Sequence, residues 1–474
     1  MELRGSSSCR QKDCFPVRHN FFRASDYRVA RRASLIAFLT LISFMALAVT
    51  LAQLTAPPQD SPVPLHAGAG TRGRLVSADG QILAGGPLQR RQYPQGTVAA
   101  QLVGFVGAAG GLEGLERVYD AQLQRGETLT LTLDTRVQAA VEQILADAVA
   151  RTDAQYATAI VMETRTGDIK AMASTPGFDA NAWRGASPDR WRNRAALDEY
   201  EPGSVVKALT VAALLNEGRT TPDTVYDTPM WRRYAGATIN DIVGHPKRLK
   251  TRQILRYSSN VGMTRLVEDV PPAVLHRYFT AYGFGQPGPL ALPSGDGLLL
   301  EAEDWGALSQ ATMSFGQGLT VTTLQLVAAF NVIANNGLYV SPQLILGKRP
   351  QARRVLSTAT AASMREMLHS VIDEGIQSRA ELPGYHVGGK TGTAQVVVDG
   401  RYSSQVFSST FAGFVPADQP LFTVAVMVRG AKREYQGSQV AAPIFRDATA
   451  TLLSLQGIPP RVERPRAQQR DKEE

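Results

Sequence analysis

The stretch Tyr200-Glu-Pro-Gly-Ser204-Val-Val-Lys207 opens a run of helix-forming residues that continues to Leu215. Pro-Gly marks a turn, so Ser204 is predicted to lie at a helix N-terminus, where N–H groups and the partial positive charge stabilise an oxyanion. Lys207 is one turn further along the same face, within reach of the Ser204 hydroxyl. The pattern indicates a serine nucleophile with a lysine base. A helix-capping serine beside a solvated lysine explains the same residues without any chemistry.

A second motif, Ser258-Ser-Asn260, follows the helical run Gln253–Tyr257. Ser258 is a candidate to relay a proton between Lys207 and a leaving amine, and Asn260 is a candidate to hold Lys207 and a substrate amide. A polar turn after a helix is the alternative interpretation of this motif.

The third motif, Lys390-Thr391-Gly392-Thr393, begins a predicted strand at a sheet edge. A lysine accepts a proton only when it is neutral, and the charge of Lys390 is one way to lower the pKa of Lys207. The threonine hydroxyls with Lys390 are candidates to bind a carboxylate, and N–H groups near Thr393 to complete an oxyanion hole with the Ser204 N–H. Gly392 is expected to let a substrate backbone approach the edge. An edge strand without function explains Gly-Thr-Ala but not the preceding lysine.

The three motifs together predict a serine acyl-transfer site with a lysine base. Each one is common by chance, but all three in this order are expected in about one chain in a hundred of this length.

Length and charge place the protein among multi-domain globular chains. It has 474 residues, 44% hydrophobic residues and a net charge of +8, part of which comes from a basic segment at residues 1–32. A basic chain is also typical of nucleic-acid binding. Here the basic segment directly precedes an apolar run, which favours a membrane over a nucleic acid.

That run, Ala33–Leu54, has 22 residues and no charge. A helix of this length crosses a bilayer core, so the sequence predicts a single membrane span. A buried helix or a cleaved signal peptide are the alternatives, but the run is long for either and Thr50-Leu-Ala52 is a poor cleavage site. The preceding arginines place the N-terminus in the cytoplasm and the residues after Pro57 outside, which predicts a single-pass protein of the inner or plasma membrane.

Cysteine and histidine usage gives no sign of a disulfide or a metal centre. Cys9 and Cys14 both precede the predicted span, so the exported part contains no cysteine. The six histidines do not occur at metal-ligand spacing. We expect neither a metal nor an organic cofactor.

Predicted strands come first, helices dominate from Ser204 to Ser370, and strands return near the end, which indicates an α+β fold with one mainly antiparallel sheet flanked by helices. The specific expectations are a strand and Asp-Gly turn within Arg72–Gly80, a helix from Asp134 to Arg151, a hairpin of Ala159–Glu163 and Asp168–Ala173, and strands at Gly392–Val398, Ser408–Val415 and Leu421–Val428. The predicted organisation is a cytoplasmic tail (1–32), a membrane helix (33–54), a proline-rich linker (55–71), a small module (72–126), a catalytic domain (127–460) and a disordered tail (461–474).

Motifs along nearly the whole chain resemble the class B penicillin-binding proteins, the FtsI-like peptidoglycan D,D-transpeptidases. Besides the three motifs above, the matching residues are Arg72-Gly73, Tyr93-Pro94, Gly114-Leu-Glu116, Val261-Gly262, Phe315-Gly-Gln-Gly318, Thr322-Thr-Leu-Gln325, Ala334-Asn-Asn-Gly337, Gly389, Ala394-Gln395 and Phe411-Ala-Gly-Phe-Val-Pro-Ala-Asp418.

The resemblance implies a reaction and a set of roles. Ser204 would attack the penultimate D-Ala carbonyl of a stem peptide and release the terminal D-Ala, and an amine of a neighbouring strand would then take the acyl group. β-Lactams would trap the serine. The resemblance implies the same roles as above for Lys207, Ser258 and Asn260 and for the run Lys390 to Thr393.

The chain departs from the family pattern in one place. Only the 19 residues Arg74–Gln92 separate Arg72-Gly73 from Tyr93, where the family usually carries a much larger pedestal insertion. The resemblance implies a multi-spanning membrane glycosyltransferase as partner, and the missing part removes some of its usual docking surface. The membrane span and the small module are where we expect that partner to dock.

The rival interpretations share the three motifs. A D,D-carboxypeptidase or a β-lactam hydrolase would let water reach the acyl-enzyme, and neither needs the anchor or the small module. An inactive division scaffold would be free to lose motif residues, and a β-lactam sensor would need a larger cytoplasmic module than residues 1–32. A bifunctional polymerase is not expected, because the segment before Ser204 is too short for a glycosyltransferase domain.

Overall fold

The computed structural model of the protein describes residues 72–375 and 378–460. The predicted basic tail, membrane span, linker and C-terminal tail, together with both cysteines, lie outside these residues. Within the described ranges, no helix combines the length and the apolar character needed to cross a membrane.

The strands are numbered in chain order. They are β1 Leu75–Val76, β2 Ile82–Ala84, β3 Leu129–Thr130, β4 Tyr156–Glu163, β5 Ile169–Thr175, β6 Val225–Asp227, β7 Trp231–Tyr234, β8 Ala237–Asn240, β9 Arg248–Lys250, β10 Leu338–Val340, β11 Ala352–Arg354, β12 Gly388–Val398, β13 Arg401–Val415 and β14 Phe422–Arg429.

The α-helices are numbered in the same way. They are α1 Ala100–Val103, α2 Gly114–Val118, α3 Asp120–Gln124, α4 Thr135–Thr152, α5 Pro188–Trp191, α6 Arg194–Leu197, α7 Val206–Asn216, α8 Thr251–Arg256, α9 Asn260–Val267, α10 Pro272–Ala281, α11 Ala307–Ser314, α12 Thr323–Ala334, α13 Thr358–Asp373 and α14 Gly437–Leu455.

The main sheet has five strands in the spatial order β12-β13-β14-β4-β5. Every neighbouring pair in it is antiparallel. Its central strands are buried along nearly their whole length, as expected of a sheet covered by helices on both faces. Strand β12, which carries the Lys-Thr-Gly-Thr motif, lies at one edge. The predicted α+β class and the edge position of the motif are confirmed.

Helices cover the two faces of this sheet. Helices α4 and α14 pack together on one face, and α12 packs against β4 and β14 on the other. Helix α12 is buried at all twelve positions, which explains its apolar sequence on every side. A capping box between Thr322 and Gln325 fixes its start. The site-bearing helix α7 lies on the same side as α12 and α13.

Most predicted elements are present with shifted ends. Asp134 caps α4 by accepting from the N–H groups of Arg136 and Val137, and the predicted hairpin is β4–β5. Strand β12 begins four residues earlier than predicted, at Gly388, where it is buried. Strand β13 is longer than predicted because its exposed first half pairs with the end of β12, for example Tyr402 with Val397. The middle of the chain is less helical than predicted, since it also contains the short strands β6 to β11.

At the N-terminal side, β1 pairs antiparallel with β2 across the predicted Asp-Gly turn and parallel with β3. Because β3 begins at Leu129, this small sheet includes residues on both sides of Gly126. The domain boundary at Gly126 stays a prediction.

A buried ion pair holds the N-terminal segment together. Arg72 donates to Glu116 from Nε at 2.9 Å and from Nη2 at 2.7 Å. Arg91 binds the other carboxylate oxygen at 2.6 Å.

Candidate active site

The Ser204 turn precedes a helix, as predicted, but the α-helix begins two residues later. Ser204 lies in a 3-10 turn, Gly203–Val205, that continues directly into α7. Gly203 has a φ of +64°, and a Cβ at this position would come within 3.0–3.2 Å of the Thr393 backbone. Only glycine fits this conformation and this space, and it allows the Ser204 turn to pack against the edge strand β12.

Lys207 is fully buried one turn after Ser204. Its Nζ donates to Asn260 Oδ1 at 2.7 Å and to Ser258 Oγ at 3.3 Å, and also to the Ser258 carbonyl oxygen. The same Asn260 donates through Nδ2 to the carbonyl oxygen of Asn240 at 3.0 Å. The solvated-lysine alternative is thereby excluded, and the first two motifs meet as predicted.

Ser258 lies between the two motif lysines. It follows α8 and has a φ of +56°, a left-handed conformation that costs a non-glycine residue roughly 1 kcal/mol or more and that is typical of functional sites. Its Oγ accepts from Lys390 Nζ at 3.0 Å and faces Lys207 Nζ on the other side. A hydroxyl in this position can pass a proton between the lysines and a group in the cleft.

Lys390 is fully buried, and it also donates to its neighbouring carbonyl oxygen, that of Thr391, at 3.2 Å. Gly392 lines the cleft, and the approach of a substrate backbone along this edge stays a prediction. A Cβ at Gly392 would lie 2.2 Å from the Pro202 carbonyl oxygen and 2.3 Å from Thr410 Oγ1. The protein's own chain therefore fills the space on the Cβ side of this glycine. Gly392 lets the Ser204 turn pack directly on β12.

A cleft of about 400 Å³ opens in front of these residues. Its polar wall contains Ser204, Ser258, Asn260, Thr391 and Thr393, and its aromatic wall contains Tyr257, Phe315, Phe407 and Tyr435. Neither motif lysine lines the cleft. Both lie behind it and contact residues that line it: both reach Ser258, and Lys390 also reaches the backbone of Thr391.

The electrostatics of the site favour a neutral Lys207. Burial lowers its pKa well below the ordinary range, the like charge of Lys390 lowers it further, and the charge of Asp241 opposes both effects. Burial also lowers the pKa of Lys390 to about 7. A buried amine with a lowered pKa, one turn after a serine that lines the cleft, is the arrangement that lysine-assisted acyl transfer needs.

Sequence reasoning missed two residues behind the second motif. Asp241 accepts from Ser259 Oγ at 2.5 Å and from the N–H groups of Asn260 and Val261, and His245 faces it at 2.8 Å. Asp241 directly follows the hairpin β7–β8, in a region that we expected to be helical. The signal was a glycine turn, Ala235-Gly236, between residues of high strand propensity, which marks a two-residue hairpin.

Comparison with known proteins gives the same class as the fold and site. A family profile described as the penicillin binding protein transpeptidase domain matches residues 157–450. The "Penicillin-binding protein PbpB" of Mycolicibacterium smegmatis is 32% identical over 423 residues, which cover 78% of this chain and 65% of that protein. The "Probable peptidoglycan D,D-transpeptidase PenA" of Neisseria flavescens is 33% identical, over 81% of this chain and 96% of that protein.

Solved structures agree with this similarity. Penicillin binding protein 3 of Mycobacterium tuberculosis, in complex with aztreonam, superposes with a TM-score of 0.77 at 30% identity, covering 83% of this chain and 98% of that chain. The protein therefore belongs to the penicillin-binding protein transpeptidase family, in its class B, FtsI-like branch. Enzymes of this family act through a serine acyl-enzyme. The chain spans slightly under two thirds of the length of the Mycolicibacterium relative.

Proposed function

We propose that the protein cross-links peptidoglycan by D,D-transpeptidation, with Ser204 as its nucleophile. One observation carries this proposal: Lys207 and Lys390, both fully buried, converge on Ser258 Oγ immediately behind a cleft that Ser204 lines. Two like charges are costly to bury, so their presence at one hydroxyl indicates catalytic use.

In the acylation step, neutral Lys207 takes the proton of the Ser204 hydroxyl while Oγ attacks the penultimate D-Ala carbonyl carbon. The negative charge that develops on the carbonyl oxygen is stabilised by N–H groups of the Ser204 turn and of Thr393, whose backbone packs against Gly203. The terminal D-Ala leaves as an amine and receives a proton through Ser258. The ester on Ser204 is the acyl-enzyme.

In the second step an amine of a neighbouring stem peptide attacks the ester. Lys207 accepts the proton of that amine and returns it to Ser204 Oγ as the ester bond breaks. The hydroxyl groups of Thr391 and Thr393, with the charge of Lys390 behind them, favour a carboxylate in the cleft. Asn260 holds Lys207 in place throughout.

The location and partners extend the same proposal. The uncharged run Ala33–Leu54 after a basic segment supports a single membrane span, with the N-terminus in the cytoplasm and the catalytic domain outside. A membrane-bound glycosyltransferase that supplies glycan strands is the expected partner. β-Lactams are the expected inhibitors, as the aztreonam complex of the mycobacterial relative suggests.

The test is covalent labelling of the full-length protein with a labelled penicillin, measured by intact mass. We expect a stable adduct on the parent, none on Ser204→Ala, and an unchanged adduct on Ser438→Ala, since Ser438 is another serine of the same cleft. Consumption of penicillin without an adduct would favour a hydrolase, and release of terminal D-Ala without cross-links would favour a carboxypeptidase. An adduct that persists on Ser204→Ala would overturn the assignment.

A further inference from the structure

The loop that follows strand β8 carries a buried acid–base pair directly beneath the second motif. The side chains of Asp241 and His245 are 2% and 0% exposed, and the imidazole Nε2 lies 2.8 Å from Asp241 Oδ2. The same loop forms part of the cleft wall through Ile242 and Val243. Nothing in the reaction described above uses this pair.

The carboxylate of Asp241 organises the start of helix α9. Its Oδ1 accepts from the N–H groups of Asn260 and Val261, and its Oδ2 accepts from Ser259 Oγ. The two backbone N–H groups have no partner within the helix, and a carboxylate at a helix N-terminus is a favourable acceptor for them. Asn260 in turn holds the Lys207 amine at 2.7 Å, so Asp241 is one residue removed from the proposed base.

Both ring nitrogens of His245 face acceptor atoms. Nδ1 lies 2.9 Å from the Pro246 carbonyl oxygen, and Nε2 lies 2.8 Å from Asp241 Oδ2. A ring that donates to both acceptors carries hydrogen on each nitrogen, which is the imidazolium form.

We propose that the Asp241–His245 pair is a positioning device that fixes the Ser258-Ser-Asn260 turn and, through the positive imidazolium, neutralises the carboxylate charge near Lys207. This proposal rests on the proposed role of Lys207 as base. An unbalanced Asp241 would favour the ammonium form of Lys207, which cannot accept the serine proton. His245 therefore allows a carboxylate to organise the turn without inactivating the base.

Among the described residues, Tyr257 packs its ring 5.8 Å from the imidazole, and Lys207 and Lys390 lie on the far side of the turn. The charge of Asp241 acts on Lys207 in the expected direction, since it raises a pKa that burial and Lys390 lower. A change in the net charge of the pair is therefore expected to be felt at Lys207.

The test is the pH profile of acylation by a fluorescent penicillin, measured on the full-length protein with His245→Gln, Asp241→Asn and the double variant. The acylation rate rises with pH as Lys207 loses its proton, and this rise is the rising limb of the profile. Glutamine keeps one N–H for Asp241 but carries no charge, so the limb moves to higher pH, by about 0.5–1 unit. Asp241→Asn keeps an acceptor for the turn and moves the limb to lower pH. The double variant restores a pair without net charge and returns the limb towards the parental position.

A matched control is His276→Gln, which removes the same group from a surface pair with Glu301 and leaves the limb unchanged. A purely structural role for His245 would lower the rate equally at all pH values with the limb unmoved, and that result would overturn the proposal. A parent protein that fails to acylate at all would instead overturn the proposed function. Thermal unfolding of each variant, followed in parallel, identifies any loss of fold.

Discussion

Two groups of buried cations, both within the described residues, have different partners. At the N-terminal side, Arg72 and Arg91 share the carboxylate of Glu116, with bonds of 2.6–2.9 Å. Burial lowers the pKa of Arg72, but Glu116 and Asp120 together more than offset this effect and raise it. Behind the cleft, the group that Lys207 and Lys390 share is the hydroxyl of Ser258, and their pKa values fall.

The difference separates a structural from a catalytic use of buried charge. An arginine stays charged under all physiological conditions, and a carboxylate that binds one arginine at each oxygen fixes the chain segments that carry them. A lysine that is buried without a carboxylate partner has a lowered pKa and can then accept protons. Breaking the first group should cost stability, whereas breaking the second should cost activity.

The largest expected effect is that of Lys207→Met. Removal of the general base should lower the acylation rate by about 10²–10⁴-fold, while the fold persists because methionine fills a similar apolar volume. The measurement is the second-order rate with a fluorescent penicillin at pH 7.5. Lys432→Met, at an exposed ion pair with Asp153, is the matched control and should leave the rate unchanged. A loss of less than tenfold in Lys207→Met would exclude Lys207 as the base.

Arg72→Met should have the opposite consequence. It leaves Glu116, whose side chain is fully buried, with only one of its two arginine partners, and should lower the free energy of unfolding by about 3–5 kcal/mol. Chemical denaturation measures this loss, and Arg125→Met, at an exposed pair with Glu127, should change it by less than about 0.5 kcal/mol. Folded Arg72→Met protein should still be acylated at nearly the parental rate. A large fall in that rate would contradict the division into structural and catalytic charges.

Lys390→Met should raise the stability of the protein and, at the same time, impair its acylation. Because burial lowers the pKa of Lys390 from 10.5 to about 7, the folded state releases a proton that the unfolded chain keeps. The parent's stability should therefore rise with pH across this window. A change of one unit in pKa corresponds to about 1.4 kcal/mol, and the variant also loses the hydrogen bonds of the amine. Near pH 7 the variant should therefore be more stable than the parent by about 2–4 kcal/mol.

The check is to measure unfolding of parent and Lys390→Met between pH 7 and 10, where the advantage of the variant should shrink steadily. The acylation limb of the variant should also move to higher pH, because Lys207 loses the like charge that lowers its pKa. A stability difference that does not vary with pH would mean that Lys390 is not the group that titrates.

The smallest effect concerns Gly392→Ala. The new methyl group meets the backbone of Pro202, so β12 and the Ser204 turn must move apart. We expect a loss of about 1–3 kcal/mol in stability and a fall in acylation of about tenfold or more. Gly306→Ala is the control, because a Cβ at that position meets no atom within 4 Å and the backbone conformation suits alanine. Unchanged acylation in Gly392→Ala would show that the contact is not needed to align the site.

The sequence predicted the features that depend on neighbouring residues. Apolar periodicity and a capping aspartate placed helix α4, and alternation around a short turn placed the β4–β5 hairpin. Motif chemistry also named the residues that meet at the cleft or directly behind it, from Ser204 and Lys207 to Thr393, because serine, lysine and asparagine in this order suit few other reactions.

Tertiary structure alone decided how these residues act. Both lysines are buried by segments far apart in the sequence, and the contact between Gly392 and Pro202 also joins such segments. No local pattern predicted these features or the left-handed backbone of Ser258. Asp241 and His245 were missed for the same reason: one acid and one histidine in a polar loop are ordinary until the fold buries them together under Asn260. Local propensities depend on a few adjacent residues, whereas the pKa of a buried group depends on everything that the fold packs around it.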